Sequence, residues 1–274
     1  MGVLGCQNCV NGWVLFERPA NKVQVEGNNI YGDAPDSLMV EFASPCPFCN
    51  GGQAYVEDLK QKANIPPTYY DVDMDSFDWS VYGADVSTQK ALAEKWILEH
   101  NVFRKEGMGL YIWSRTRGSG KTYLASAICN SMMKTHRRKT RFINVSKLIE
   151  ASKEPDGIQQ LINAEVLVLD DLGQKGTGVD WVSDLLYNIF EDRGNKHRLS
   201  IVTSNIAPAE LQIDDRIADR MNQQMIELKL PEVRVRSMKA TEQKKRLLME
   251  VGILPDDRPK QMTMETEGGG NDTA

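Results

Sequence analysis

The stretch WSRTRGSGKTYLASAI, near the middle of the chain, carries the residue types that bind phosphate. Gly118 and Gly120 let the backbone approach an anion closely. Lys121 offers an ammonium group to the β and γ phosphates of a nucleotide, and Thr122 offers a hydroxyl to Mg²⁺. The stretch departs from the pattern G-x-x-x-x-G-K-[ST] at Arg115, which stands where the first glycine belongs. Arg115 removes no phosphate donor, so we predict a working nucleotide site; the alternative is a chance Gly-Lys-Thr at a helix start.

Two acids follow a run of apolar residues in the stretch VLVLDDLG. A site that hydrolyses a nucleotide needs an acid on a strand beside the phosphate loop. We assign Asp170 to Mg²⁺ and Asp171 to the attacking water; the alternative is a pair of acids that solvates a strand end. In the stretch IVTSN, Asn205 ends another buried strand and could position the same water, although asparagine commonly ends strands.

The stretch DDRIADRM places Arg216 and Arg220 four residues apart, on one face of a short helix. An arginine offered to the γ-phosphate of a neighbouring subunit stabilises the charge that develops during hydrolysis. The residues alone favour the other interpretation, a solvated pair that bridges Asp214, Asp215 and Asp219.

Strands and helices alternate from about residue 108 onward, which predicts a parallel α/β sheet covered on both faces. The predicted strands are GLYIWS, TRFINV, EVLVLDDLG and LSIVTSN. The predicted helices are KTYLASAICNSMMKT, SKLIEASK and WVSDLLYNIFEDRG, followed by short helices in PAELQ and DDRIADRMNQQ. Ahead of them, Leu92, Trp96 and Ile97 have helical spacing, so we predict a lead-in helix from Ser87 to Phe103 with Ser87 as its cap.

The composition is that of a globular protein, because 41% of its 274 residues are hydrophobic. The net charge of −5 excludes a globally basic nucleic-acid coat but allows a local basic patch. No apolar run approaches the roughly 20 residues of a membrane helix, and the N-terminus lacks the features of a secretory signal. We therefore expect a cytoplasmic protein, in which paired cysteines suggest a metal before a disulfide.

The pattern C-x-x-C-x-x-G occurs twice, in CQNCVNG with Cys6 and Cys9 and in CPFCNGG with Cys46 and Cys49. Four thiolates bind Zn²⁺ tetrahedrally, so we predict a zinc site built from these four residues. The alternatives are a redox dithiol, an iron–sulfur cluster or unligated cysteines. The stretches GWVLFERP and DSLMVEFA read as short strands between the two pairs. A module of this size needs the metal to fold, and we expect it to bind a partner protein first and nucleic acid second.

Two basic runs, KTHRRKTR over 134–141 and RGNKHR over 193–198, lie at the ends of predicted elements. Their functional interpretation is contact with the phosphates of single-stranded DNA. The residues favour a simpler interpretation, favourable charge at helix C-termini. Cys129, in LASAICN, is expected to be a buried core residue.

The motifs together resemble the replicative-helicase loaders of the DnaC/DnaI type, within the AAA+ ATPases, and their transposition relative IstB. The resemblance covers roughly 61–245. GSGKTYLASAICN resembles Walker A, LINAEVLVLDDLG resembles Walker B with its preceding helix, and IVTSN resembles sensor 1. DDRIADRM resembles the arginine-finger segment, VRVRSMKA resembles the region with the sensor 2 arginine, and NIPPTYYDVDMDSFDW resembles the family's linker.

The resemblance implies a set of site residues. Those assigned to the nucleotide are Gly118, Ser119, Gly120, Lys121, Thr122, Tyr123 and Arg236. Those assigned to catalysis are Asp170, Asp171, Asn205, Arg220 as first choice for the finger, and Arg216 as second choice. Many AAA+ proteins carry Asp-Glu in Walker B, and the shorter Asp-Asp predicts a slow, switch-like ATPase.

The predicted fold is an α/β AAA+ P-loop ATPase domain, a parallel sheet flanked by helices, preceded by a small zinc-ribbon-like module. We divide the chain into the zinc module over 1–56, a linker and lead-in helix over 57–107, the ATPase domain over 108–254 and a disordered tail over 255–274. The resemblance implies ATP-dependent loading of a hexameric replicative helicase onto single-stranded DNA, with ATP, Mg²⁺ and Zn²⁺ bound and self-association through a finger in trans. The alternatives are an IstB-like transposition helper and an ATP-binding adaptor that barely hydrolyses ATP.

Overall fold

The structure is a computed structural model of the chain. It describes residues 9–10, 13–20, 24–25, 28–29, 35, 37–46, 53–173, 180–251 and 253. The chain divides into two compact units, Met1–Arg234 and Val235–Ala274. The tail predicted as disordered, 255–274, lies outside the described residues. None of the helices in the described ranges has the length and apolarity needed to span a membrane.

An antiparallel pair of strands lies in the described N-terminal part of the first unit. Strand β1 (Trp13–Pro19) pairs with β4 (Met39–Pro45), with Trp13 opposite Pro45. Two-residue strands, β2 (Gln24–Val25) and β3 (Asn28–Asn29), pair between them. The two short strands predicted between the cysteine pairs are therefore confirmed.

Three helices precede the main sheet: α1 (Gln53–Ala63), α2 (Ser87–Leu98) and α3 (His100–Glu106). The prediction of one helix from Ser87 to Phe103 is wrong, because it breaks at Glu99. The predicted Ser87 cap is also wrong. Ser87 is the first helical residue, and its backbone N–H donates to Asp85 Oδ1 at 2.9 Å.

The main sheet has five parallel strands in the order β6-β7-β8-β5-β9. Their bounds are β5 (Gly109–Trp113), β6 (Thr140–Asn144), β7 (Val166–Leu172), β8 (Leu199–Ser204) and β9 (Met225–Lys229). The helices between them are α4 (Lys121–His136), α5 (Leu148–Lys153), α6 (Gly157–Asn163), α7 (Asp180–Asn195) and α8 (Asp215–Gln224). The predicted parallel α/β architecture is confirmed, and β9 is a strand that the sequence analysis did not predict.

The sheet core is dense because its strands are apolar and their backbones lie close together. Every residue of β5 is buried. At Gly109 a methyl group would lie 2.1 Å from the Ser200 carbonyl oxygen, so the neighbouring strand leaves no room for a side chain there. Aliphatic and aromatic side chains from β7, α7 and α8 complete the core, among them Leu169, Phe190 and Ile217.

The segment between α1 and α2 packs against α4. Asn130 Nδ2 donates to the carbonyl oxygens of Tyr69, at 3.0 Å, and Val72, at 2.7 Å. The Met74 amide donates to Ser131 Oγ at 3.1 Å. These hydrogen bonds hold the segment between α1 and α2 against α4, the helix that follows the phosphate loop.

The second unit contains helix α9 (Val235–Glu250). Arg236, predicted as the sensor 2 arginine, is the second residue of this helix. Its role as a nucleotide ligand stays a prediction.

Candidate nucleotide site

A loop over 114–120 joins β5 to α4 at the carboxyl end of the sheet. Gly118 has a φ of 77° and Gly120 has a φ of 99°, both in the left-handed region that favours glycine. This backbone leads directly into the first turn of α4, where unsatisfied N–H groups favour an anion. The two predicted loop glycines are thus placed where a phosphate-binding backbone requires them.

Lys121 is the first residue of α4 and is buried. Its Nζ donates to the carbonyl oxygens of Ser114, at 3.2 Å, and Thr116, at 3.0 Å, and to Ser119 Oγ at 3.2 Å. The ammonium group therefore lies inside the loop. A phosphate group in this loop would meet a positive charge already positioned within it.

Asp170 and Thr122, the two residues predicted to bind Mg²⁺, are in direct contact. Thr122 Oγ1 donates to Asp170 Oδ1 at 3.0 Å, although the two residues lie on different elements, α4 and β7. Thr203 Oγ1, on β8, donates to the same oxygen at 2.7 Å. A hydroxyl and a carboxylate in contact at the end of a phosphate loop are the oxygen donors that Mg²⁺ prefers. The residues present therefore fit a bound Mg²⁺.

Asp170 is 5% exposed, and burial raises the pKa of its carboxyl group. The charge of Asp171 raises it further, whereas hydrogen bonds from Thr203 and Thr122 lower it. The net shift is upward, so the negative charge is poorly compensated by the protein alone. A divalent cation at this oxygen would supply the compensation.

Asp171 lies where β7 departs from regular pairing. The register with β8 shifts between Leu169 and Leu172. Asp171 itself has a φ of 61°, a conformation that non-glycine residues adopt rarely and that clusters at functional sites. Its amide donates to Thr203 Oγ1 at 3.0 Å, and its Oδ2 accepts from Asn144 Nδ2 at 3.3 Å.

Thr203 and Asn144 are site residues that the sequence analysis missed. Thr203 accepts from the backbone of one acid and donates to the side chain of the other. It lies in IVTSN, two residues before the predicted Asn205. Alternation along a strand would have placed Thr203 and Asn205 on the same face, which was the available signal. Asn205 directly follows the end of β8 and is half-buried.

An aromatic cluster lies against the loop, contributed by the segment before α2. Tyr82 is buried, and its hydroxyl donates to the Ser119 carbonyl oxygen at 2.8 Å. A methyl group at Gly120 would lie 3.0 Å from the same hydroxyl. The ring of Phe77 lies 5.5 Å from that of Tyr123 and 4.5 Å from that of Trp79, measured between centroids. Tyr82 is a third site residue, after Thr203 and Asn144, that the sequence motifs do not include.

Arg115 does not strain the loop. It is not among the residues with a positive φ, so the missing glycine is not needed for backbone conformation at this position. Its guanidinium pairs with Glu210 and lies 5.8 Å from the ring centroid of Trp113. The departure from the motif therefore leaves the phosphate-binding half of the loop intact.

Both candidate finger arginines have partners within this chain. Arg216 Nη2 lies 2.8 Å from Asp214 Oδ2 and 3.4 Å from Asp184 Oδ1. Arg220 Nη2 lies 2.6 Å from Glu191 Oε2. Arg216 therefore pairs with Asp214, as the alternative interpretation of the sequence predicted. A role in trans stays a prediction for both arginines.

The basic runs are largely occupied by structural contacts. Arg193 is fully buried and donates to Ser200 Oγ and to the carbonyl oxygens of Leu161, Ile162, Ala164 and Leu199. In the other run, Lys134 pairs with Asp73 at 2.9 Å and Arg138 pairs with Glu165 at 2.8 Å. Arg193 is therefore a core residue and not a phosphate ligand.

Two of the four predicted zinc ligands lie within the described residues. Cys9 and Cys46 are buried in one cluster, against which Val14 and Tyr55 pack. Cys6 and Cys49 lie outside the described residues, so the four-cysteine site stays a prediction. Within the described ranges no group of three or more potential metal ligands occurs. Cys129 is buried in α4, as predicted, and burial raises the pKa of its thiol to about 12.

Residues 114–230 match the profile of the ATPase family associated with various cellular activities (AAA). The match runs from the first residue of the phosphate loop to the residue after β9. This segment is therefore a domain of the AAA family. No curated protein matches the sequence.

Three solved structures share the fold at low sequence identity. A primosome component from Streptococcus pyogenes serotype M3 is 21% identical with a TM-score of 0.52, and the alignment covers 65% of this chain and 96% of that one. DnaI is 22% identical with a TM-score of 0.53, covering 61% and 95%. The DnaC helicase loader is 23% identical with a TM-score of 0.50, covering 60% and 99%. The chain thus has the fold of the DnaC/DnaI-type AAA+ proteins, which confirms the predicted resemblance.

Proposed function

We propose that the protein is an ATP-dependent loader that places a hexameric replicative helicase on single-stranded DNA. The observation that carries the nucleotide part is the contact between Thr122 and Asp170 beside a glycine-rich loop that encloses Lys121. When bound, Mg²⁺ would neutralise phosphate charge at these two oxygens. The helicase part rests on the shared fold with DnaI and the DnaC helicase loader.

We propose slow hydrolysis that works as a switch. Asp171 is held by Thr203 through its backbone and by Asn144 through its side chain. Asp171 is therefore held in place, and its side chain is one methylene shorter than the glutamate that many AAA+ proteins have at this position. Asn205 would help to position water, and Arg220 or Arg216 would reach the nucleotide of a neighbouring subunit. Arg220 pairs with Glu191 in the single chain. On assembly, Arg220 would have to leave Glu191 and bind the phosphate of the neighbouring subunit's nucleotide.

The N-terminal cysteines extend the proposal to a zinc-stabilised module that contacts the helicase. Cys9 and Cys46 are buried together although they lie on opposite sides of the β1–β4 hairpin in sequence. Soft thiolates from two C-x-x-C turns suit Zn²⁺. A location in the cytoplasm, where helicase loading takes place, belongs to the same proposal.

Nucleotide titration tests the site. Lys121→Ala should lower ATP affinity at least about tenfold, because hydrogen bonds to charged groups are worth about 1.5–3 kcal/mol. Lys134→Ala is the matched control, since it removes a lysine from the same helix but from an exposed ion pair. Wild-type affinity in Lys121→Ala would contradict the assignment.

Co-purification tests the partner. Wild-type protein should form a complex with the replicative helicase whose stability differs between ATP-bound and nucleotide-free samples. Lys121→Ala should lose that difference. If the protein binds ATP but no helicase in either state, a transposase pulldown separates the transposition helper from the adaptor. Absence of turnover on single-stranded DNA would favour the adaptor.

A further inference from the structure

We infer that Glu232 is a positioning residue for the nucleotide loop. It accepts hydrogen bonds from consecutive donors at the start of the loop, where the usual glycine is replaced by Arg115. The inference rests on the proposed nucleotide function and adds a residue that belongs to none of the recognised motifs. Glu232 comes 111 residues after the loop's Lys121 in the numbering of the chain and reaches the loop through the fold.

The carboxylate of Glu232 accepts hydrogen bonds from three consecutive residues at the start of the loop. Its Oε1 accepts from the Arg115 amide at 3.0 Å. Its Oε2 accepts from the Thr116 amide at 2.6 Å and from Ser114 Oγ at 3.0 Å. Burial raises the pKa of this carboxyl group, but the hydrogen bonds outweigh burial and the net shift is downward. Glu232 is therefore ionised at neutral pH, which strengthens its hydrogen bonds.

Strand β9, at one edge of the sheet, positions Glu232 beside the loop. Beyond β9, the Leu230 amide donates to the Trp113 carbonyl oxygen at 2.8 Å and continues the pairing with β5. Glu232 follows two residues later. The start of the loop is thus fixed to a strand on the side of β5 opposite to β8.

The same loop residues that contact Glu232 also contact Lys121, the lysine proposed to bind the nucleotide. Ser114 and Thr116, which Glu232 holds, are the residues whose carbonyl oxygens accept from Lys121 Nζ. Losing the carboxylate would leave two loop amides without this acceptor and release the turn that orients those carbonyls. The loop would then need to be ordered when a nucleotide binds, and affinity would fall.

Charge alone predicts the opposite result, which makes the test decisive. Glu232 places a negative charge beside a loop that binds polyphosphate, so simple repulsion predicts tighter binding when the charge is removed. A positioning role predicts weaker binding. The sign of the change in affinity separates the two.

The experiment is titration of the full-length protein with ADP, together with thermal unfolding of the nucleotide-free protein. Glu232→Ala should weaken ADP binding about tenfold, and Glu232→Gln, which retains one acceptor oxygen, should lie between Glu232→Ala and wild type. The matched control is Glu210→Gln. It removes a nearby carboxylate that contacts the side chain of Arg115 and not the loop backbone, so its affinity should equal that of wild type or exceed it slightly.

Equal or tighter ADP binding by Glu232→Ala would overturn the inference. So would equal losses in Glu232→Ala and Glu210→Gln, because they would indicate a general effect of charge or of folding. These results leave the proposed function in place if wild-type protein binds ADP and Lys121→Ala does not. Failure of wild-type protein to bind ADP would instead remove the proposed function and the inference together.

Discussion

Asp170 lies in an environment that costs the folded protein stability, as expected of an acid that we propose to bind Mg²⁺. Its carboxyl group is buried beside a second acid, and both features raise its pKa. Two threonine hydroxyls, from Thr122 and Thr203, offset part of this cost by donating to Oδ1. Enzyme sites commonly lose stability in this way, because the missing partner is a ligand.

Asp170→Asn should therefore stabilise the nucleotide-free protein while it removes Mg²⁺-dependent ATP hydrolysis. The amide has nearly the same shape, and its oxygen still accepts from both threonines, but it carries no buried charge. We expect the midpoint of thermal unfolding to rise by about 2–4 °C, which corresponds to roughly 1 kcal/mol for a protein of this size. The measurements are calorimetry without nucleotide and phosphate release with ATP.

The control for this substitution is Asp219→Asn, which neutralises an exposed carboxylate on α8. Its unfolding midpoint and its ATPase rate should both match wild type. A clear fall in the midpoint of Asp170→Asn would mean that the charged carboxylate stabilises the fold, contrary to our interpretation of its pKa.

Among the elements, β5 and α7 show that a glycine's neighbours decide what a substitution does. At Gly109 on β5 an added methyl group meets a backbone oxygen of β8 at 2.1 Å. At Gly194 on α7 it meets the end of the Gln224 side chain, with Nε2 at 2.2 Å. The first contact involves a paired strand that cannot move alone. The second involves a side chain that can rotate away.

Gly109→Ala should lower the free energy of unfolding by about 1–3 kcal/mol, the usual cost of overpacking. Gly194→Ala should leave it within about 1 kcal/mol of wild type, because alanine favours a helix over glycine by a similar amount. Urea unfolding of both variants provides the comparison. Equal losses of stability in the two variants would show that the closeness of β5 to β8 is not what makes Gly109 necessary.

Sequence patterns identified most elements of the sheet because each is a short apolar run with its own boundary. β9 escaped prediction because Met225–Lys229 alternates weakly and stands directly after a helix without a turn signal. The break between α2 and α3 also escaped, since Glu99 is compatible with a helix by propensity. Propensity is a weak prior that tertiary contacts override.

Across the whole molecule, the predictable part of the site is the part that is contiguous in sequence. Lys121 and Thr122 belong to one motif, and Asp170 and Asp171 belong to another. The unpredicted residues contact the phosphate loop or the two acids from four other segments: Thr203, Asn144, Tyr82 and Glu232. Asn144, Thr203 and Glu232 reach the site through the strand order β6-β7-β8-β5-β9, which no local pattern encodes. Tyr82 reaches it from the segment that precedes α2.

The proposed zinc module gives a prediction for the whole chain. Purified full-length protein should contain one Zn²⁺ per chain, and Cys46→Ser should lose it, since a tetrahedral site needs four ligands. Cys129→Ala is the control, because burial keeps that thiol protonated and unsuited to a metal. Elemental analysis measures the metal. Full zinc retention by Cys46→Ser would remove Cys46 from the ligand set.

The strand order also has a consequence for synthesis of the protein on the ribosome. β5 pairs with β8 and β9, which begin at Leu199 and Met225, so both of its partners emerge long after it does. At translation rates of about 5–20 residues per second, this strand, which is buried throughout in the folded protein, stays unpaired for roughly 5–20 s. The nascent chain therefore exposes a hydrophobic, aggregation-prone segment during that interval. A chain that ends before Met225 would lack β9 and Glu232, so the loop over 114–120 would lose the carboxylate that holds its first residues.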